Sequence, residues 1–325
     1  MLKAGITMQG TLHEQYGIKN QDAIRIFEAA GFTGVIACDG VSLKSDWTFS
    51  NSELAAALVS KASQAFLENR LDKNLNPDHV CDQIRDAFLF SLAVLKDALE
   101  QAGIPFFDCQ TTLIIALYKD GLLYGGIAGD GGILYQTKLH NSGTMITRLK
   151  SSSSVYPIGD TEEWRFFMGG SKEDPVVRFL AATDGVFDQL IIPYDGLPAG
   201  NYALIDKLFS IENIPEDEQG RWLQEQIEAL EGHDDKTVAI IMDTDREAEI
   251  KKDESRDLQD RDLKDRGLDL KEPGNTTDRE AEPENSDPES PDPECSKKDD
   301  SEKENSDQTC TVSKLDSDPE NSPAK

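Results

Sequence analysis

Thr33-Gly-Val-Ile-Ala-Cys-Asp39-Gly40 is an apolar run that ends on a carboxylate followed by glycine, and Arg178-Phe-Leu-Ala-Ala-Thr-Asp184-Gly185 repeats the pattern. Each reads as a buried strand that delivers an acid at its end. A strand end holds a side chain rigidly, and the glycine after it lets the backbone turn so that its carbonyl can face a cation too. A single Asp-Gly pair is ordinarily a turn. Two copies at the ends of two apolar strands, with further Asp-centred strings elsewhere, point to a metal site.

Outward from these runs, the chain alternates strand signals with long helices. Ile6–Met8, Ala23–Phe27 and Val35–Cys38 read as strands. Ser50-Asn-Ser-Glu53 is a capping box that opens an Ala/Leu-rich helix to about Asn69. Asn76-Pro77 starts a second helix, periodic through Val80, Ile84, Phe88, Leu92 and Leu95 and ending before Gly103. Short β-like runs follow at Thr111–Tyr118, Leu122–Ala128, Gly132–Thr137, Met145–Leu149, Trp164–Met168 and Val176–Ala182, separated by Gly and Asp turns. Helices are expected over Tyr202–Phe209 and Glu216–Leu230, then a closing strand, Thr237–Met242. Hairpin-linked strands with helices inserted in blocks predict an α+β fold with antiparallel sheets, not a doubly wound parallel sheet.

Composition bounds the rest. The chain has 325 residues, a formal net charge of −29 and 38% hydrophobic residues. Residues 246–325 contain no Phe, Trp or Tyr and carry loose acidic repeats such as Glu284-Asn-Ser-Asp-Pro-Glu289 and Asp316-Ser-Asp-Pro-Glu320. Such a segment cannot bury enough apolar surface to offset its chain entropy, so a disordered, solvating tail is expected. Residues 1–245 are expected to form one folded domain. The acidity excludes nucleic acid as a partner. No run approaches ~18 consecutive apolar residues, so no membrane span is expected. Met1-Leu-Lys-Ala-Gly-Ile-Thr7 lacks the apolar core of a signal peptide, which predicts a cytoplasmic protein. The five cysteines are scattered with no C-x-x-C spacing, so Cys38 and Cys109 are expected to pack as small apolar groups.

The acids occur in Asn20-Gln21-Asp22-Ala23, Asp39-Gly40-Val41, Gly129-Asp130-Gly131, Thr183-Asp184-Gly185-Val186-Phe187-Asp188 and His233-Asp234-Asp235-Lys236-Thr237, each at the edge of an apolar strand. Carboxylates and a backbone carbonyl, with no cysteine and little histidine, make a hard oxygen site suited to Mg²⁺ or Mn²⁺ rather than zinc. Without a cation, converging carboxylates would repel one another and rise in pKa.

Taken in this order, the strings resemble the metal-dependent protein phosphatases of type 2C (the PPM family), in its bacterial-type branch, over about residues 1–245. The resemblance implies an α-β-β-α sandwich of two antiparallel sheets flanked by helices. It implies two Mg²⁺ or Mn²⁺ ions, with a weaker third, and hydrolysis of phosphoserine or phosphothreonine by a metal-activated water. By the same resemblance Asp39 bridges both ions and Gly40 offers its carbonyl to the second. Asp184 and Asp234 hold the first ion. Asp234 is chosen over Asp235 because it stands three residues before Thr237, as in the family's Asp-Asn-x-Thr string. Asp22 acts near the second ion, and Asp130 and Asp188 join Asp184 at the third. The implied partner is a phosphoprotein, the target of a serine/threonine kinase, met by a monomer.

Three positions depart from the family pattern. Gly17 stands where many members carry an Arg that grips the substrate phosphate, so Lys19 or His13 is left as a candidate for that contact, His13 also for proton transfer. Val41 stands where some relatives have a His, and Gln110 replaces a usual Gly. The missing Arg also keeps open a second reading, a catalytically weak pseudo-phosphatase that binds a phosphoprotein or regulates a partner. A pure scaffold is the third reading; it leaves the strand-end acids unexplained.

Overall fold

Most strands of this protein are apolar on both faces, because both of its sheets are covered twice. The structure, a computed structural model, describes residues 1–41, 51–140, 143–147, 155–194 and 197–246. The chain divides into two units, Met1–Asp257 and Leu258–Lys325, and every described residue lies in the first. The sequence expectations for the tail and for Ser50 therefore fall outside the described residues.

One sheet is built from β1 (Leu2–Met8), β7 (Gly132–Thr137), β8 (Thr144–Thr147), β10 (Val176–Ala182) and β13 (Lys236–Met242), in the order β1-β13-β10-β7-β8. The other is built from β2 (Asp22–Ala29), β3 (Phe32–Val41), β5 (Leu113–Lys119), β6 (Leu122–Ala128) and β9 (Arg165–Gly169), in the order β2-β3-β5-β6-β9. A two-residue strand, β4 (Gln110–Thr111), pairs with the end of β3. All these pairings are antiparallel.

Alternation along each strand sends side chains to two different cores. In β3, Val35 and Ala37 join Ile114 of β5 in facing the other sheet, where they cluster with Phe179, Ala181, Ala239 and Ile241. Ile36 and Cys38 point outward to α2 (Ser52–Arg70) and α3 (Val80–Ala102). In β13, Ala239 and Ile241 face inward, and Val238, Ile240 and Met242 face α5 (Tyr202–Phe209) and α6 (Glu216–Glu228). The result is the expected four-layer α-β-β-α sandwich.

The helices obey the predicted periodicity. Val80, Ile84, Phe88, Leu92, Leu95 and Leu99 of α3 are all buried. Each large apolar side chain taken fully from water contributes about 1.5–3 kcal/mol, so this single stripe anchors the outer layer. Asn76 caps the 3-10 turn Pro77–His79 that leads into α3, accepting from the Asp78 N–H at 3.1 Å. Gly103 ends α3 in the left-handed conformation (φ 67°). Short elements escaped the sequence reading: α1 (Thr11–Tyr16), α4 (Asp184–Phe187) and the hairpin β11 (Ile191–Tyr194) with β12 (Leu197–Gly200). Helices of four to six residues have too few turns to show a periodicity.

Candidate metal centre

Chain direction alone brings five acid-bearing segments to one end of the sandwich. β3 ends there and β2 begins there; β10 ends there and β13 begins there; the turn from β6 to β7 crosses there from one sheet to the other. Asp22 and Asp39 are direct partners across the β2–β3 ladder, so their side chains lie on the same face. One carboxylate oxygen from each of Asp39, Asp130 and Asp184 lies within 4.8 Å of the others. Asp130 is buried, while Asp39 and Asp184 are half-buried.

Threonines fix these acids. The Asp39 N–H donates to Thr112 Oγ1 (2.9 Å), and the Asp39 carbonyl accepts from Thr111 Oγ1 (2.8 Å) and the Thr112 N–H (2.8 Å). Thr183 Oγ1 donates to Asp22 Oδ2 (2.8 Å) and accepts from the Thr237 N–H (3.1 Å), tying the two sheets together at the site. Asn20 Oδ1 accepts from the Asp22 N–H (2.8 Å). Sequence reasoning missed Thr112 and Thr183, although each stands inside a quoted run.

The electrostatics match the crowding. Burial pushes the Asp22 carboxyl up to about 8, with Asp235 and Asp184 adding to the rise against hydrogen bonds from Thr183 and Thr237. Asp39 is held well above the usual carboxylate range, first by burial and then by Asp22, Asp184, Asp234 and Asp130. Asp234 is also raised, by loss of water around its carboxyl and by Asp184, although the residue as a whole remains exposed. Asp22 Oδ1 is buried with no hydrogen-bond partner among the described residues. Repelling oxygens, one of them without a donor, are what a divalent cation satisfies, and an all-oxygen donor set selects a hard one. These residues fit Mg²⁺ or Mn²⁺.

Other expected site residues are placed differently. Gly40 does not turn the chain: it lies inside β3, paired with Thr111, and a Cβ there would stand 2.7 Å from Ser52 at the start of α2. Asp188 is exposed and opens the 3-10 turn after α4, outside the trio of converging oxygens. Lys19 is at the rim, 80% exposed, with Nζ 3.7 Å from Glu53 Oε1 in the first turn of α2. His13 is buried, and its Nδ1 lies 2.9 Å from Asp235 Oδ2. This nitrogen of His13 is turned toward Asp235. Position 17 is the left-handed C-cap of α1 (φ 67°), so an Arg there would be strained; the backbone is built for glycine.

A four-layer sandwich of this order, with acids gathered where both sheets end, is the architecture of the metal-dependent protein phosphatases. The family model described as "Protein phosphatase 2C" matches residues 9–230, and the chain belongs to the protein phosphatase 2C family. Among solved structures, it is similar to the serine/threonine phosphatase Stp1 from Staphylococcus aureus. The identity is 14% and the TM-score 0.55, over 74% of this chain and 95% of that one. It is also similar to a bacterial serine phosphatase, at 14% identity and TM-score 0.54, over 74% of this chain and 96% of that one. At these identities the likeness is one of fold. No curated protein matches the chain. No helix among the described residues is long and apolar enough to cross a membrane.

Proposed function

We propose that this chain is a metal-dependent serine/threonine protein phosphatase whose site is the carboxylate cluster at the shared sheet end. The observation that carries the reading is the convergence of Asp39, Asp130 and Asp184 oxygens within 4.8 Å, with Asp22 directly across from Asp39. Asp39 would bridge two Mg²⁺ or Mn²⁺ ions, Asp184 and Asp234 would complete one, and Asp22 and the Gly40 carbonyl would serve the other. Asp130 and Asp188 are assigned to a weaker third. Such ions, when bound, supply Lewis-acid charge that makes water nucleophilic near neutral pH and neutralises charge on the phosphoryl oxygens.

The chain's own residues orient and exclude. Threonines 111, 112 and 183 hold the acids in register, so little reorganisation is needed as charge develops. Lys19, exposed at the rim beside Glu53, is assigned the first contact with the phosphate of a phosphoprotein substrate. No protein nucleophile is called for. The Cys38 thiol beside the cluster is pushed far up by burial and by Asp22 and Asp39, and Cys109 is pushed up to about 11, chiefly by burial; both stay unreactive thiols. The protein is proposed to act in the cytoplasm as a monomer.

Gly17 favours one competing reading, a pseudo-phosphatase that binds a phosphoprotein without turnover. Hydrolysis of a phosphopeptide by the purified chain, with MnCl₂ and with chelator, separates the two. Turnover with Mn²⁺ that Asp39→Asn abolishes supports the phosphatase. Binding without turnover at any Mn²⁺ concentration leaves the competing reading.

A further inference from the structure

We propose that His13 and Asp235 form a buried positioning pair that sets the metal ligands Asp22 and Asp234; this builds on the metal site proposed above. Asp235 is 2% exposed, and its carboxylate reaches into the segment that leads to Asp22. Its Oδ1 accepts the Gly10 N–H at 2.6 Å, and its Oδ2 accepts the Gln21 N–H at 2.5 Å and faces His13 Nδ1 at 2.9 Å. His13 is itself buried, and so is Gln21. The same two segments meet again one step outward: the Leu12 N–H donates to the His233 carbonyl (3.1 Å), and Thr11 Oγ1 lies 2.8 Å from His233 Nδ1.

The positions give the pair its purpose. Gln21 immediately precedes Asp22, and Asp235 immediately follows Asp234. The Gln21 carbonyl also accepts the Gly40 N–H at 3.0 Å, one residue beyond Asp39. One buried carboxylate therefore fixes backbone next to two ligands directly, and next to a third through a single peptide. A buried carboxylate is held in one orientation only while its donors remain. Removing the His13 ring takes away the nitrogen that lies 2.9 Å from Asp235 Oδ2 and opens the buried space the ring fills, which loosens the segment on either side of it. Asp234 Oδ1 accepts the Asp235 N–H at 2.9 Å, so movement of residue 235 passes straight to the neighbouring carboxylate.

The test is Mn²⁺ affinity, measured by titration calorimetry at a temperature where circular dichroism shows each variant folded. His13→Ala and Asp235→Asn are expected to weaken Mn²⁺ binding about 10–100-fold, the usual effect of removing a group that orients a metal ligand. His13→Asn, whose side-chain amide places a nitrogen near the Nδ1 position, is expected to recover most of that loss. Leu223→Ala, buried in the core under α6, is expected to lower the melting temperature with no change in Mn²⁺ affinity. An affinity in His13→Ala within twofold of wild type overturns the proposal, as does an equal loss in Leu223→Ala. Wild-type binding that Asp39→Asn abolishes and His13→Ala spares overturns this inference alone; a wild type that binds no Mn²⁺ overturns the metal site with it. Should the variants not fold, amide exchange on the wild type decides. Linkage is reciprocal, so Mn²⁺ must slow exchange at Gly10 and Gln21, and unchanged rates overturn the proposal.

Discussion

Asp39-Gly40 and Asp184-Gly185 are the same dipeptide after the same kind of apolar run, set in different sheets and different backbones. Asp39 sits within β3, its neighbours still paired to β2 and β4. Asp184 sits just past β10 and opens the short helix α4, whose first turn is closed by the Phe187 N–H on the Thr183 carbonyl at 2.8 Å. Both glycines are demanded by crowding: Gly40 by Ser52 of α2, Gly185 by the Asp235 carbonyl, which a Cβ there would overlap. A strand and a helix start can thus deliver acids to one point. What they share is a neighbouring element pressed against the glycine.

The sharpest way to break this equivalence is to remove each acid. Asp39→Asn and Asp184→Asn are both expected to lower Mn²⁺-dependent phosphopeptide turnover by about three orders of magnitude, the scale on which groups that organise transition-state charge act. If one variant keeps turnover, the two segments do not serve one site. The glycines come next. Gly185→Ala meets backbone and is expected to lose about 1–3 kcal/mol in denaturant unfolding. Gly40→Ala, whose new Cβ meets backbone and side chain of Ser52 at 2.7 Å, is expected to lose less.

A third comparison uses protons. Asp22 rises from an ordinary 3.8 to about 8 in the folded protein, and Asp39 rises in the same direction. Between those values the folded state keeps protons that the unfolded chain releases, so metal-free stability falls as pH rises through that window. The metal-free protein is expected to melt at a lower temperature at pH 8 than at pH 5. Mn²⁺ displaces those protons, so the stabilisation it adds should grow with pH. Melting curves with and without chelator measure both; a metal-free melting temperature that rises from pH 5 to 8 contradicts the crowded-acid picture. The smallest effect belongs to the rim. Lys19→Ala is expected to raise KM for a phosphopeptide about two- to fivefold with little change in kcat, as befits an exposed charge screened by solvent.

The same contrast recurs at shorter range. Asp234 and Asp235 are adjacent, yet one stays exposed toward Asp184 and the other is 2% exposed among backbone donors. The sequence reading separated them by their spacing to Thr237 and left Asp235 no task. It could not see the donors of Asp235, because Gly10 and Gln21 lie 225 and 214 residues away in the chain. The surroundings of His13 were hidden for the same reason: its neighbour Asp235 lies far away in the chain.

Local chemistry was legible from the chain alone. Apolar runs bounded by turn residues marked β6, β7 and β10 to the residue, helical periodicity did the same for α5, and the other long elements were marked nearly so, because burial selects the residues of each element directly. The order of the acid strings sufficed to place the chain in its family. Tertiary structure alone decided which oxygens meet, why Gly40 and Gly185 are glycine, and that Asp235 and His13 face each other. Those outcomes depend on which distant segments share one end of two sheets, and no local pattern records that.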